Sequence, residues 1–342
     1  MRPKILVTGG AGYIGSHTCV ALIEAGFDPI VFDNLSNSSV ESLARVERIA
    51  GLRPTFVEGD VRDGAALDAL FASRQIDAVI HFAGLKAVGE SVDKPLLYYD
   101  NNVGGSTTLL QSMQRASIDR LIFSSSATVY GDPSSVPLRE DAPLGATNPY
   151  GRSKLMVEQI LGDLYAAEPN WRIARLRYFN PVGAHPSGLI GEDPRGVPNN
   201  LLPFVSQVAV GRLPRLRVFG DDWPTPDGSG VRDFIHVMDL AEGHVAALRH
   251  LRAHAGMVTL NLGTGRGVSV LELVAAFART IGRALPYEIV GRRAGDVAAC
   301  WADAEAAAQV LGWRATRDLQ QICDDAWNWQ QRNPAGYAGY AG

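Results

Sequence analysis

Short apolar runs rich in β-branched residues alternate, through the first half of the chain, with longer stretches in which apolar positions recur every three or four residues. Residues 4–8, 29–32, 55–58, 77–82, 121–123 and 173–178 read as strands, and their near-continuous apolarity marks them as buried on both faces. Helical spacing fills the intervals, most clearly from Tyr13 to Gly26, from Tyr98 to Ala116 and from Tyr150 to Ala166. Strand and helix in strict alternation predict an α/β fold: a parallel sheet with helices on both faces, doubly wound in the Rossmann manner.

After Phe179 the texture changes. Residues 180–198 are rich in Pro and Gly and read as loop, and helical patterns return near 238–251, 270–281, 302–311 and 319–331. The expected organisation is a nucleotide-binding domain over 1–179 and a smaller mixed α/β substrate-binding domain over 180–332. The Tyr-Ala-Gly repeats of 333–342 are expected to form a disordered tail.

Composition narrows the function classes. A chain of 342 residues can bury a large core, and a net charge of −4 argues against nucleic acid as a main partner. Cys19, Cys300 and Cys323 have neither metal-ligand nor disulfide-framework spacing, so no metal is expected. No apolar run approaches the roughly 18 residues of a membrane helix, and Met1 to Lys4 leads directly into a strand, which together predict a soluble, cytoplasmic protein. Lysine occurs only at positions 4, 86, 94 and 154, so Lys86 and Lys154 are scarce residues inside motifs.

The first motif is Gly9-Gly10-Ala11-Gly12-Tyr13-Ile14-Gly15, between the first strand and the first helix. In that context backbone N–H groups and a helix N-terminus can receive a pyrophosphate. The second strand ends at Asp33, about 20 residues on, where a carboxylate accepts hydrogen bonds from ribose hydroxyls and repels a 2′-phosphate, which favours NAD over NADP. Asp60, after the third strand, reads equally as a contact to the adenine edge or as a turn aspartate. Ala83 and Gly84, at the exit of the fourth strand, leave room for a cofactor beside the backbone. His81, inside an apolar run, reads as a core histidine.

The second motif joins Ser124-Ser125-Ser126 to Asn148-Pro149-Tyr150-Gly151-Arg152-Ser153-Lys154. Pro149 suits a first helical turn, which places Tyr150 and Lys154 four apart on one face. A phenol of pKa about 10 is a poor base at neutral pH, and a neighbouring ammonium makes it a better one. The spacing alone also fits an ordinary amphipathic helix. The serines at the C-terminal end of a strand, where open α/β sheets place their ligands, favour chemistry. In the second half, the run Arg212 to Arg217 reads by default as solvated surface, while Arg217, Arg232 and Arg293 have the residue type that binds a diphosphate.

These motifs, with 81–91, 124–131, 177–184 and 231–240, resemble the extended short-chain dehydrogenase/reductase family from residue 4 to about 331, and within it the branch that epimerises UDP-sugars at C4. The resemblance implies an isomerase that interconverts UDP-galactose and UDP-glucose through a 4-keto intermediate, with NAD tightly held and recycled. It implies that Tyr150 moves the 4-hydroxyl proton, that Ser126 shares it, and that Lys154 binds the nicotinamide ribose and depresses the Tyr150 pKa. Gly9, Gly12, Tyr13, Ile14, Gly15, Asp33, Asn34, Ser36, Asn37, Ser38, Asp60, Val61, Phe82, Ala83, Gly84, Lys86, Asn101 and Phe179 match the cofactor side. Asn180, Asn200, Arg217, Val218, Phe219, Arg232, Arg293, Asp296 and Cys300, with Lys86, Ser126 and Tyr150, match the UDP-sugar side. The resemblance further implies that residues of about 232–264 rejoin the first domain and that the chain is a homodimer.

Cys300 stands where the narrower members of that branch carry a tyrosine. It reads either as a small pocket wall that admits N-acetylated UDP-sugars or as a neutral filler. Two other classes stay open. A sugar-nucleotide 4,6-dehydratase carries Asp-Glu directly after the motif threonine, whereas Ala127-Thr128-Val129 here has no carboxylate; a non-enzymatic NAD sensor tends to lose the tyrosine or lysine.

Overall fold

The computed structural model describes residues 2–196, 198, 200–293 and 295–339. Seven parallel strands form the central sheet, in the spatial order Gly256–Leu262, Arg172–Tyr178, Arg120–Ser126, Ala78–His81, Lys4–Thr8, Asp28–Asp33, Thr55–Glu58. The strand order reverses beside Lys4–Thr8, which pairs with Asp28–Asp33 on one side and Ala78–His81 on the other. A crevice therefore opens at the carboxyl ends of these strands, where nucleotides bind in such sheets. Ile5, Leu6, Val7, Val79, Ile80 and Ile122 are essentially inaccessible, so the buried sheet has apolar clusters on both faces.

The helix Tyr13–Glu24 packs on Val237–Ala253, a helix from the second half of the chain, and Gly256–Leu262 completes the sheet beside Arg172–Tyr178. The second half thus returns to the nucleotide-binding sheet. A third apolar cluster, around Leu202, Val205, Val218, Phe277 and Ile322, forms the smaller lobe. Small sheets organise that lobe: Leu216–Phe219 with Tyr287–Val290, and Val231–Arg232 between Val268–Ser269 and Ala299–Cys300. No helix among the described residues is long and apolar enough to cross a membrane.

Two expectations need correction. The helix expected over 98–116 is broken into Pro95–Tyr98, a π-helical turn Tyr99–Gly104 and Gly105–Arg115; such turns commonly re-aim side chains at functional sites. The tail expected to be disordered from 333 is ordered in part, with a helical turn over Gly336–Gly339. Asn333 and Tyr337 are buried, and the Tyr337 ring lies against Trp329 and over the Arg45 guanidinium. An aromatic with a hydrogen-bonding hydroxyl is an anchor that composition alone under-weights. Residues 340–342 lie outside the described residues.

Candidate active site

The glycine loop is shaped for close approach. Gly9 is left-handed (φ +70°), and a Cβ there would lie 2.7 Å from the Ala83 nitrogen; at Gly15 it would lie 2.4 Å from the Gly9 carbonyl oxygen. No side chain caps the helix Tyr13–Glu24, whose N-cap is Gly12, so its first N–H groups face the crevice as an anion site. Asp33 closes the loop: its carboxylate accepts from the Ala11 and Leu35 nitrogens (3.0 and 2.9 Å) and from the Ser38 hydroxyl (2.8 Å). Asn34, Ser36 and Asn37 are exposed beside it. These residues fit the adenosine and pyrophosphate of a dinucleotide.

Asp60 is occupied by the Arg62 side chain and by Asn34, and the paired guanidinium lowers its pKa. Val61 and Ile14 pack against the core and Phe82 lies against His244, so what Val61 and Ile14 can offer a ligand is backbone. His81 is a core histidine: its ring nitrogens meet the Thr8 and Ser106 hydroxyls at 2.7 and 2.8 Å, and burial, with Lys154 nearby, pushes it down to about 3.

The chemical centre lies where the Arg120–Ser126 strand meets the helix Pro149–Ala167. Asn148 caps that helix, accepting from the Gly151 nitrogen at 2.9 Å, and Pro149 occupies its first turn. Gly151 lets the helix approach: a Cβ there would stand 3.0 Å from the Thr128 carbonyl oxygen. Ser126 caps the single turn Ala127–Tyr130 and accepts from the Thr128 nitrogen and hydroxyl at 3.2 and 3.0 Å. One turn beyond Tyr150, the buried Lys154 ammonium donates to the Ser124 carbonyl oxygen at 2.8 Å and lies 6.0 Å from the Tyr150 ring centroid. Burial lowers Lys154 to about 8.

Burial also raises the Tyr150 phenol, against the opposing pull of the Ser126 hydroxyl and the Lys86 ammonium. Lys86 thus joins Lys154, which the sequence singled out, as a cation near the phenol, and its charge opposes the effect of burial. Behind this centre a buried pair holds both elements: Glu158 accepts from Ser125 at 2.5 Å and from Arg177 at 2.6 Å, and Arg177 also donates to the Tyr130 hydroxyl at 3.1 Å.

Across the crevice the smaller lobe gathers the cations. The Arg217 and Arg293 guanidinium groups lie 5.6 and 5.3 Å from the Phe219 ring centroid. Asp296 pairs with Arg293 at 2.8 Å and reaches Arg232 at 4.0 Å. Cys300 sits opposite Arg232 in the sheet register and packs against the apolar cluster that includes Ala127 and Phe179. Asn180 is held by the backbone of buried Asp233, and Asn200 caps the helix Leu201–Ala209 with its side chain turned to Glu192. The Val218 side chain is buried in the apolar cluster of the smaller lobe, so its backbone is what it can offer a ligand.

The sequence reading passed over four residues of this site. Asn102, not its neighbour Asn101, clamps the crevice backbone, exchanging hydrogen bonds with Leu85 and donating to Ser153 at 3.0 Å. Asn101 is only half-buried in the π-helical turn. Glu192 bridges Lys86 and Asn200, and Arg195 donates to the backbone of the Asp33–Ser38 loop. Glu158 lies one turn beyond Lys154, and its repeat of the helical spacing was the one signal in the sequence.

Known proteins of the same architecture extend the comparison. The family model described as NAD dependent epimerase/dehydratase family matches residues 5–263. The chain is 59% identical over 333 residues to the UDP-glucose 4-epimerase of Bacillus subtilis, covering 97% of this chain and 98% of that protein. Among solved structures, the UDP-glucose 4-epimerase of Bifidobacterium longum in complex with NAD+ and UDP superposes with a TM-score of 0.95 at 54% identity, covering 97% of this chain and 99% of that one. The Stenotrophomonas maltophila UDP-glucose-4-epimerase, with bound NAD and formylated UDP-arabinopyranose, gives 0.96 at 53% identity over the same shares. With its glycine loop, Asp33 and the Ser126, Tyr150 and Lys154 centre in one crevice, this chain belongs to the NAD dependent epimerase/dehydratase family.

Proposed function

We propose that this protein is an isomerase that interconverts UDP-galactose and UDP-glucose through a 4-keto intermediate, with NAD retained between turnovers. The observation that carries it is the Tyr150 phenol, set between the Ser126 turn and two lysines at the carboxyl end of a buried strand, facing a lobe lined with arginines. NAD, when bound, supplies the acceptor of the C4 hydride and its return. The glycine loop, Asp33 and Ser38 hold its adenosine end, and Lys86, Asn101, Phe179 and Lys154 its nicotinamide end. Tyr150 accepts the proton of the sugar 4-hydroxyl and returns it to the same oxygen once the hydride has come back on the other face of C4, with Ser126 relaying it; the neighbouring cations help the phenol by opposing the effect of burial.

Arg232 and Arg293 bind the diphosphate, Arg217 with Phe219 and Asp296 the nucleoside, and Asn180 and Asn200 the remaining polar groups of the UDP-sugar. Arg293 and Asp296 pair with each other here, so the ion pair must open or be shared when the diphosphate enters. Cys300, without a ring, leaves room for a C2 N-acetyl group, so UDP-GalNAc and UDP-GlcNAc are substrates too. Domain one comprises 1–179 and 232–264, and domain two most of the remainder to 332.

The protein works as a cytoplasmic homodimer. Val88, Val92, Leu96 and Leu97 expose large apolar side chains beside Met156 on the helix Pro149–Ala167, with Leu96 80% accessible. Such a patch rarely stays bare. Sedimentation of Leu96→Asp against the parent chain tests this, and a parent that sediments as a monomer overturns it.

The test of the reaction is incubation of the purified protein with UDP-galactose and no added cofactor, followed by sugar analysis. UDP-glucose is the expected product. A stable 4-keto-6-deoxy sugar points to the dehydratase, and unchanged substrate with bound NAD points to a sensor.

A further inference from the structure

The segment after buried Ala184 touches both sides of the site: Glu192 meets Lys86, and Arg195, three residues on, meets the loop after Asp33. A single carboxylate oxygen of Glu192 accepts from the Lys86 ammonium at 2.8 Å and from the Asn200 carboxamide at 2.7 Å. The Glu192 side chain is 9% accessible while that of Lys86 is 47% accessible, so the rigid partner is the carboxylate and the lysine is the one being held.

The loop bearing Glu192 is fastened on both sides. Before it, the Tyr337 hydroxyl bridges the Gly191 nitrogen and carbonyl oxygen, each at 3.3 Å, and the Trp329 indole donates to the Glu192 carbonyl at 3.3 Å. After it, the Tyr337 nitrogen donates to Asp193 at 2.8 Å, and Arg195 donates to the carbonyl oxygens of Leu35, Ser36 and Ser38 at 2.9–3.1 Å. Gly191 is seated on Trp329, where a Cβ would come within 2.4 Å of the ring.

We propose that Glu192 is a positioning residue of this active site: its carboxylate fixes the Lys86 ammonium and the Asn200 carboxamide to one point, from a loop that Tyr337 and Arg195 hold in place. The proposal rests on the epimerase reading, in which Lys86 acts beside Tyr150 and Asn200 on the UDP-sugar. Lys86 has four rotatable side-chain bonds, and the field its ammonium places on the phenol falls with distance. An unpinned lysine swings into the open crevice and weakens that field. An unpinned Asn200 loses its aim at the substrate and adds an ordering cost to binding.

The experiment uses the full-length protein with its bound cofactor. Glu192→Ala is expected to lower kcat for UDP-galactose about tenfold and to raise KM, the scale at which small misplacements act. Glu192→Gln retains an acceptor oxygen at the same reach and recovers most of both losses. In a Lys86→Met background, Glu192→Ala no longer lowers kcat, while its effect on KM persists through Asn200. In a Tyr150→Phe background, where turnover is all but lost, calorimetric binding of UDP-glucose reads the Asn200 arm by itself: about tenfold weaker with Glu192→Ala, near the Tyr150→Phe value with Glu192→Gln. The assignment is overturned if Glu192→Ala leaves kcat and UDP-glucose affinity within twofold, if its kcat loss is the same without Lys86, or if Glu192→Gln recovers neither. A parent protein that binds UDP-glucose in the expected order but does not interconvert UDP-galactose overturns the epimerase reading and leaves Glu192 as a positioning residue for the ligand.

Discussion

The Lys154 ammonium donates to the main-chain carbonyl of Ser124 at 2.8 Å and is one helical turn from Tyr150, whose ring centroid is 6.0 Å away. The charge is therefore buried on a neutral partner, and burial pushes it down to about 8 from 10.5. Stability and chemistry conflict at this residue. In cofactor-free protein, Lys154→Met should be more stable than the parent by about 1–2 kcal/mol at pH 7, the desolvation relieved less the hydrogen bond lost. The sign with pH follows from linkage: between about 8 and 10.5 the unfolded parent keeps a proton that the folded parent has released, so the parent gains stability as pH rises and the advantage closes. Urea denaturation at pH 7 and pH 9.5 checks both points, and a gap that is constant with pH contradicts them.

Tyr150→Phe removes one oxygen and little volume. Turnover of UDP-galactose should fall 10²- to 10⁴-fold, the usual scale for a lost general base, with bound NAD and UDP affinity unchanged. Near-parent activity would transfer the proton step to Ser126 or to water.

Lys86 opposes the effect of burial on the Tyr150 phenol. Lys86→Met should therefore raise the phenol pKa, and since the base must be deprotonated, the acid limb of the pH–rate profile moves to higher pH. A limb that stays in place while KM rises would confine Lys86 to binding.

Cys300 shares a cluster with Phe179 and Ala127 and is paired opposite Arg232. A ring at this position should close the pocket to N-acetylated sugars while sparing the smaller pair, because steric exclusion rejects larger substrates more sharply than a roomy site rejects smaller ones. Cys300→Tyr is expected to lose UDP-GalNAc turnover at least tenfold and to retain UDP-galactose turnover. Equal retention of both would show that specificity is set elsewhere.

The Arg177 and Glu158 side chains are 4% and 2% accessible and joined at 2.6 Å. Glu158→Gln leaves the guanidinium buried without its counter-charge, a loss of about 3–5 kcal/mol. Chemical denaturation should show that loss, and kcat should fall with it, because Ser125 and the turn carrying Ser126 hang from the same carboxylate. A change below 1 kcal/mol would mean that the network relaxes around the substitution.

The chain order of apolar runs determined the parallel sheet, and the glycine loop, Asp33 and the spacing of Tyr150 and Lys154 were readable because each depends on neighbours within a turn or a strand. What the sequence could not express is set by contacts between distant positions. Lys86 meets Glu192 across 106 residues, Arg195 meets the Ser36 carbonyl across 159, and Tyr337 reaches Gly191 across 146. None of these pairs has a periodicity, and a loop rich in Pro and Gly gives no sign that one of its acids faces a crevice. The tail was misread for the same reason, since whether Tyr337 is buried depends on a slot formed by Trp329 and Arg45 that exists only after the lobes have packed. Local spacing fixed which residues can do chemistry; the packing of the two halves of the chain decided where the Lys86 ammonium is held, because Coulomb interactions follow distance in space and not separation along the chain.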